Sequence, residues 1–319
     1  MAHEFDLIAR YFSRPVPARF LGVGDDCALL PLDAGRQMAV STDLLIEGRH
    51  FFADVDPDAL GHKALAVNLS DLAAMGAQPL ACVLGLALPA VDHDWLRAFA
   101  NGFYAMADRA LCPLVGGDTT RSVAGITLSV TVFGQVDPAR ALRRGAAQLH
   151  DDIWVTGSLG AADIALKLLQ QTLPFDAALL AATRGALERP EPPLGFAQDL
   201  AGVAHAALDI SDGLLQDLGH ILAASHCGAE LAYDSLPVHR ALHGLPAATQ
   251  EAAVLGGGDV YELCFTAAAD QRETVLALAR RAGVCATRIG SITQGGDMIV
   301  KRANGDVVAV PSGGFDHFG

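Results

Sequence analysis

The chain has 319 residues, 51% of them hydrophobic, which is enough for two domains with cores of their own. Its 36 acidic residues against 22 basic ones leave a formal charge of −14, which argues against nucleic acid or an anionic membrane surface as the main partner. Phosphate-bearing substrates suit such a chain only if a cation such as magnesium bridges carboxylate and phosphate.

The six cysteines, Cys27, Cys82, Cys112, Cys227, Cys264 and Cys285, are scattered, with no CxxC pair and no metal-ligand spacing. They read as reduced thiols of a cytoplasmic protein. The opening stretch MAHEFDLIARYF carries charges throughout and reads as an amphipathic helix over 4–12, not a signal peptide. Residues 72–91 lack charge, but Gly76, Pro79, Gly85 and Pro89 break them into a helix end and a strand, so no membrane span is expected.

A loop follows, LGVGDDCALL, with a strand beginning near Cys27. Gly22 and Gly24 free the backbone there and present Asp25 and Asp26 together; this is either turn chemistry or a metal site. The next strand, 38–41, runs out into Thr42 and Asp43, and hydroxyls with a carboxylate at a strand end suit a hard cation. Arg49 and His50 come next; His50 is a phosphate contact or an ordinary histidine.

The stretch LGHKALAVNLSDLAAMGAQP, 60–79, reads as one helix, capped by Asp56, started by Pro57 and ended by Gly76 and Pro79. Leu60, Ala64, Val67 and Leu72 mark an apolar face, with Asn68 and Asp71 side by side near it. A carboxylate in so crowded and alanine-rich a setting needs a partner, and a divalent cation suffices. An apolar strand over 80–88 and a helix over 92–110 follow, the latter with Trp95, Leu96, Phe99, Phe103 and Met106 at core spacing. LCPLVGGDTTRS then gives a buried strand, two glycines and Asp118 as another strand-end carboxylate; no GxxxxGK[ST] loop occurs. A strand over 126–136 completes this half.

Residues 137–152, with Arg140, Arg143 and Arg144, read as the hinge, either as a solvated linker or as a phosphate contact. Beyond it, IWVTGSLGAADIALKLL is a strand, a glycine turn and a helix, and 190–193 is irregular. A strand over 204–210 meets the turn Ser211-Asp212-Gly213 and a helix over 214–224. Ser211 is placed to cap that helix, whose N-terminal amides form a natural anion site flanked by Asp209 and Asp212. LGGGDVYELCFT brings a second glycine turn, with Asp259 feeding a strand over 261–266. A helix over 270–282, strands near 288–292 and 298–301, and GGFDHF at 313–318 close the chain.

Side by side, GVGDDCALL, STDLLIEGRHF, KALAVNLSDLAAMGAQP, GGDTTRS, RALRRGA, ALDISDGLLQDLGH, GGGDVYELCF and GGFDHF resemble the thiamine-monophosphate kinase family over nearly the whole length, in order and spacing. The resemblance implies an α/β (α+β) fold of the two-domain aminoimidazole ribonucleotide synthetase-like kind. In it an N-terminal Mg/ATP-binding and dimerisation domain, 1–138, is joined to a C-terminal α/β domain, 139–319. It further implies a homodimer with N-terminal sheets forming a barrel across the two subunits, and ATP with several magnesium ions in the cleft between domains. The implied reaction takes ATP and thiamine monophosphate to ADP and thiamine diphosphate.

Carried over position by position, the metal ligands fall on Asp26, Ser41, Thr42, Asp43, Asp71, Asp118, Asp209 and Asp212. The nucleotide contacts fall on Gly117, Asp118, Arg144 and Ser211, and the thiamine-phosphate contacts on His50, Asp259 and Phe315. Asp43, Asp71 and Asp118 are the carboxylates on which catalysis is expected to lean most. Two departures touch the acceptor end. The family turn usually reads GGEDYE where this chain has Gly257-Gly258-Asp259-Val260-Tyr261-Glu262, and Phe315 stands where a tyrosine is frequent. A relative with another acceptor, or a nucleotide- or thiamine-phosphate-binding protein without catalysis, is the competing expectation. A selenophosphate synthetase would want a lysine beside its reactive cysteine, and Cys27 has none nearby.

Overall fold

Alternating short apolar runs and alanine-rich periodic runs build two α/β units in the computed structural model, which describes residues 7–17 and 30–308. The first unit takes in residues up to Leu72 and Ala77–Ala139, the second Ala73–Gly76 and Arg140 onward.

In the first unit, strands β1 (Gln37–Ile46), β2 (Gln78–Leu88), β3 (Leu114–Arg121) and β4 (Thr127–Val136) form a sheet in the order β1-β4-β2-β3. The β1/β4 and β4/β2 pairs are antiparallel and β2/β3 is parallel. Helices α1 (Pro57–Ala74) and α2 (His93–Ala110) belong to the same unit, apart from the last two residues of α1. The Asp56 side chain caps α1 by accepting from Asp58 N–H (2.9 Å). Asp92 caps α2 by accepting from the N–H groups of Asp94 and Trp95. The two helices touch through glycine: a Cβ on Gly61 would lie 2.1 Å from the Phe99 carbonyl oxygen, and one on Gly102 would lie 1.8 Å from that of Asp58. Trp95, Phe99 and Phe103 stack along α2 behind this contact.

Alternation along the sheet separates two faces. Leu45, Leu84, Leu86, Leu128, Val130 and Val132 are buried on the covered face. On the other face of β1, which is an edge strand among the described residues, Met38, Val40, Leu44 and Ile46 stay exposed, Val40 and Leu44 at 56% and 55%.

In the second unit, β5 (Asp152–Thr156), β6 (Ala204–Asp209), β7 (Gly228–Ala232), β8 (Leu263–Ala267), β9 (Ala286–Thr293) and β10 (Met298–Lys301) form a sheet in the order β10-β7-β9-β5-β8-β6. Its helices are α3 (Ala161–Leu169), α4 (Ala177–Glu188), α5 (Leu194–Leu200), α6 (Leu214–Ser225), α7 (Ala247–Gly256) and α8 (Arg272–Ala282). One core gathers Ile153, Val155, Leu208, Leu218 and Ile289; another gathers Trp154, Phe196, Phe265 and Val275, together with Ala73 and Ala74 from the end of α1. Two carboxylates tie the start of β5 down. Asp152 takes Arg272 (2.5 Å) and Arg288 (3.2 Å), and Asp151 takes His205 (2.9 Å).

Several expectations from the sequence need correction. Helix α1 has no single apolar face: residues 59–70 are buried throughout, because a helix inserted deep in its unit is covered on every side. Pro79 does not end it but sits inside β2, where the ladder slips between Pro79 and Ala81, so the missing N–H costs no regular pair. Ser41, Thr42, Asp43 and Asp118 do not stand at strand ends, since β1 and β3 run past them to Ile46 and Arg121. Helices α4, α5 and α7 and strand β7 are additional elements. Asp25, Asp26, the strand expected near Cys27, Phe315 and the GGFDHF stretch lie outside the described residues.

No helix among the described residues is long and apolar enough to cross a membrane. The described cysteines are free, with Cys82, Cys112 and Cys264 buried, Cys227 partly so and Cys285 exposed.

Candidate active site

Helix α1 lies against β1 so that two of its polar side chains meet the strand's polar run. Ser41 Oγ donates to Asp71 Oδ2 (2.5 Å), and the Asp43 N–H donates to Asn68 Oδ1 (3.0 Å). Asn68 is itself fully buried and donates through Nδ2 to the Ala64 carbonyl (3.1 Å), which fixes which amide atom faces Asp43. Burial, with the Asp71 charge adding to it, pushes the Asp43 carboxyl up to about 6 from its ordinary 3.8. Two carboxylates, a hydroxyl and a locked amide thus face one another. Thr42 alternates to the other face, where its hydroxyl meets that of Thr131 across the β1/β4 ladder.

Register places the GGD stretch in the same frame. Gly117 falls in the row of Leu84, Val130 and Asp43, and Asp118 in the neighbouring row of Gly85, Ser129 and Leu44. Asp118 is exposed. It is separated from β1 by two strands, three ladder spacings or about 14 Å across a flat sheet. Gly117 has to be glycine: at φ +153 a Cβ would lie 1.9 Å from the Leu84 carbonyl oxygen. His50 Nδ1 accepts from the Ile46 N–H (3.0 Å), so the neutral ring carries its proton on Nε2.

In the second unit the 210–213 turn is held from two sides. Asp217, on the first turn of α6, accepts the N–H groups of Ser211 (3.0 Å), Asp212 (3.0 Å) and Gly213 (3.1 Å), all on its Oδ2. This corrects the expected cap: Gly213 is the first-cap residue, Ser211 makes no side-chain cap there, and Asp217 satisfies the turn's amides. Burial outweighs those three donors and pushes Asp217 up to about 6. On the opposite side, Asp259 N–H donates to the Ser211 carbonyl and Tyr261 N–H to that of Ile210, both at 2.8 Å. Asp259 and Tyr261 adopt left-handed φ values of 57° and 55°. The Tyr261 hydroxyl donates to Asp259 Oδ1 (3.2 Å).

Asp209 is buried at the end of β6, opposite Leu263. Asp212 Oδ2 accepts from Gln216 Nε2 (3.3 Å). Arg144 is exposed in a 3₁₀ turn, and its carbonyl accepts from Ser225 Oγ (2.8 Å). Its neighbour Arg140 is committed to the Ala201 carbonyl. Among the described residues no group of three or more His, Cys, Asp or Glu side chains converges as a cation cluster.

A family model for the N-terminal domain of AIR synthase related proteins matches residues 24–136, and one for the C-terminal domain matches 150–302. A thiamine-monophosphate kinase from Escherichia coli O157:H7 is 42% identical over 324 residues, covering 99% of this chain and 98% of that protein. The chain belongs to the thiamine-monophosphate kinase family. The crystal structure of a thiamine-monophosphate kinase from Stenotrophomonas maltophilia K279a is 46% identical, with a TM-score of 0.83 over 95% of each chain. A structure of AaThiL complexed with AMPPCP and TMP is 28% identical, with a TM-score of 0.77 over 91% of this chain and 90% of that one. The two-domain mixed α/β fold is therefore that of a thiamine-monophosphate kinase.

Two carboxylates to which the sequence alone assigns no role hold the surrounding backbone: Asp217 at the 211–213 turn and Glu262 against Thr156. The signal for Asp217 was an acidic residue in the first turn of a helix directly after a glycine turn. Glu262 had no such signal, because its role depends on Thr156 and Gly157, more than a hundred positions away.

Proposed function

We propose that this chain transfers the γ-phosphate of ATP directly and in line to thiamine monophosphate, giving ADP and thiamine diphosphate, with magnesium. The observation that carries the reading is family membership at 42% identity over the full length, together with the Asp43, Asp71, Ser41 and Asn68 arrangement on β1 and α1. The acceptor is a phosphate monoester, already ionised at neutral pH, so no side chain has to remove a proton from it. The demand on the protein is electrostatic: two polyanions must be brought together in line.

The donor set fits magnesium. Ser41, Thr42, Asp43, Asp71, Asp118, Asp209 and Asp212 offer only hard oxygen atoms, and the half-buried Asp43 carboxyl beside Asp71 is held up to about 6, a cost that a divalent cation relieves. We propose these residues and Asp26 as the metal ligands. When bound, magnesium would supply charge neutralisation to the phosphates. Gly117, Asp118, Arg144 and Ser211 are proposed for the nucleotide, with Arg144 adding positive charge and Gly117 permitting close backbone approach. His50, Asp259 and Phe315 are proposed for thiamine monophosphate, His50 donating from Nε2. Residues 1–138 then serve as the magnesium, ATP and dimerisation domain, and 139–319 as the domain that completes nucleotide and acceptor binding.

The test is ADP release from magnesium-ATP with and without thiamine monophosphate, following thiamine diphosphate by chromatography. Both products in equal amounts, only when the acceptor is present, are expected. ATP binding with no diphosphate formed would move the protein to another acceptor, with Asp259 the first residue to suspect. A phosphorylated side chain trapped in a single turnover would end the direct-transfer part.

A homodimer through the first sheet is proposed as well. An edge strand carrying exposed Met38, Val40, Leu44 and Ile46 on one face is a surface that water alone covers poorly. Leu44→Lys should sediment as a monomer where the parent chain sediments as a dimer; equal sedimentation of both would remove this face from the interface. The five described cysteines, all free and three of them buried, support a cytoplasmic location.

A further inference from the structure

The 210–213 turn and the 256–261 turn are joined backbone to backbone, and the buried carboxylate of Asp217 stands behind the first of them. Ser211 and Ile210 give their carbonyls to the N–H groups of Asp259 and Tyr261. Gly213, at φ +122, leaves a Cβ position only 2.7 Å from the Gly256 carbonyl oxygen, and a Cβ on Gly258 would lie 2.5 Å from that of Ser211. No side chain fits between the two turns. Asp259 and Tyr261 hold strained left-handed backbone, which persists only where the surroundings over-determine it. Behind it, Asp217 is 4% exposed and gathers three successive N–H groups of the 211–213 turn on one oxygen.

We infer that Asp217 is a positioning residue for the phosphoryl transfer, setting Ser211 and Asp212 directly and Asp259 through the backbone pairs between the two turns. This rests on the proposed roles of Ser211, Asp212 and Asp259. Its consequence is that nucleotide and acceptor affinity share one mechanical support. In this role Asp217 acts through the turn whose N–H groups it holds, not by contact with a substrate. It needs an acceptor oxygen at one point more than it needs a charge, since all three N–H groups converge on Oδ2 and an asparagine carbonyl can occupy that point.

The experiment compares full-length Asp217→Ala, Asp217→Asn and Gly258→Ala with the parent, at a temperature where each is folded. KM for ATP, KM for thiamine monophosphate, kcat, and calorimetric affinity for AMPPCP are measured. Asp217→Ala should raise both KM values together by about tenfold or more, the scale of losing a supporting partner behind a binding group. Asp217→Asn should restore both to within about threefold of the parent. Gly258→Ala, in the acceptor motif, should weaken AMPPCP as well as thiamine monophosphate. If Asp217→Ala does not fold, Gly258→Ala decides the matter.

KM values and AMPPCP affinity within twofold of the parent in every folded variant, with only the melting temperature lowered, would leave Asp217 a plain helix cap and overturn the inference. Asparagine as damaging as alanine would also overturn it, since charge rather than position would then be at stake. A parent chain that binds AMPPCP but makes no thiamine diphosphate would fail the functional reading alone, and the AMPPCP affinities would still report the coupling. A parent that binds no AMPPCP would end both.

Discussion

Replacing Asp43 by asparagine is expected to make the metal-free protein more stable while removing its activity. Asp43 lies mostly buried beside Asp71, and burial with that neighbouring charge raises its carboxyl to about 6. At pH 8 the folded state therefore bears the cost of ionising a group that ionises at its ordinary 3.8 in the unfolded chain. The difference, about two pKa units, corresponds to about 3 kcal/mol; solvent reaching part of the carboxylate reduces this to about 1–2 kcal/mol. Asparagine keeps the shape and the N–H to Asn68 and removes the repulsion. Denaturant midpoints in EDTA should therefore rise. Magnesium should reverse the order, because a cation that binds only the folded parent stabilises it by mass action. Activity should fall by more than about 100-fold, since even an outer partner of a metal ligand is worth 10–100-fold. Asp71→Asn should behave alike and leave Ser41 its acceptor. A variant that gained nothing in EDTA, or that kept magnesium-dependent stabilisation and turnover, would take Asp43 out of the metal set.

The family motifs and the regular elements were legible because local chemistry announces them. Trp95, Leu96, Phe99, Phe103 and Met106 at helical spacing predict α2, and alternation around Thr127, Ser129 and Thr131 predicts β4; both are found. The polar run Ser41-Thr42-Asp43 misled, because three oxygen-bearing side chains look like a strand giving way to a loop. In the structure it stays extended: β1 pairs with β4, and its alternate residues turn to the covered and open faces. GGDTT misled in the same way, with β2 keeping the glycines extended. Helices α4 and α7 are hidden by alanine, which is strong in propensity but carries little periodic contrast. The individual carboxylates of the site were visible, but their grouping was not. Asp43 and Asp71 meet across a strand and a helix 28 positions apart in sequence, while Asp118 stands three ladder spacings from β1.

Glu262→Gln should change how stability depends on pH. The Glu262 carboxyl accepts from Thr156 Oγ1 and is wedged against Gly157, where a Cβ would lie 1.9 Å from its Oε1. Burial, the largest cause, raises it from 4.5 to about 7 although the Thr156 hydrogen bond pulls the other way. Between about pH 4.5 and 7 the folded protein thus holds a proton that the unfolded chain has released. Stability falls as pH rises through that window and levels off above it. The span of about 2.5 units corresponds to about 3 kcal/mol. Glutamine keeps an oxygen for Thr156 and has nothing to titrate, so urea midpoints at pH 5 and pH 8 should show the variant gaining on the parent by about that amount. Asp43 and Asp217, both held up to about 6, shift the absolute curves in the same direction. They are common to both proteins and cancel in the difference, provided that they do not couple to Glu262. A difference independent of pH would mean that Glu262 ionises in the folded protein as readily as in the unfolded one, with solvent or a cation reaching the carboxylate behind Gly157.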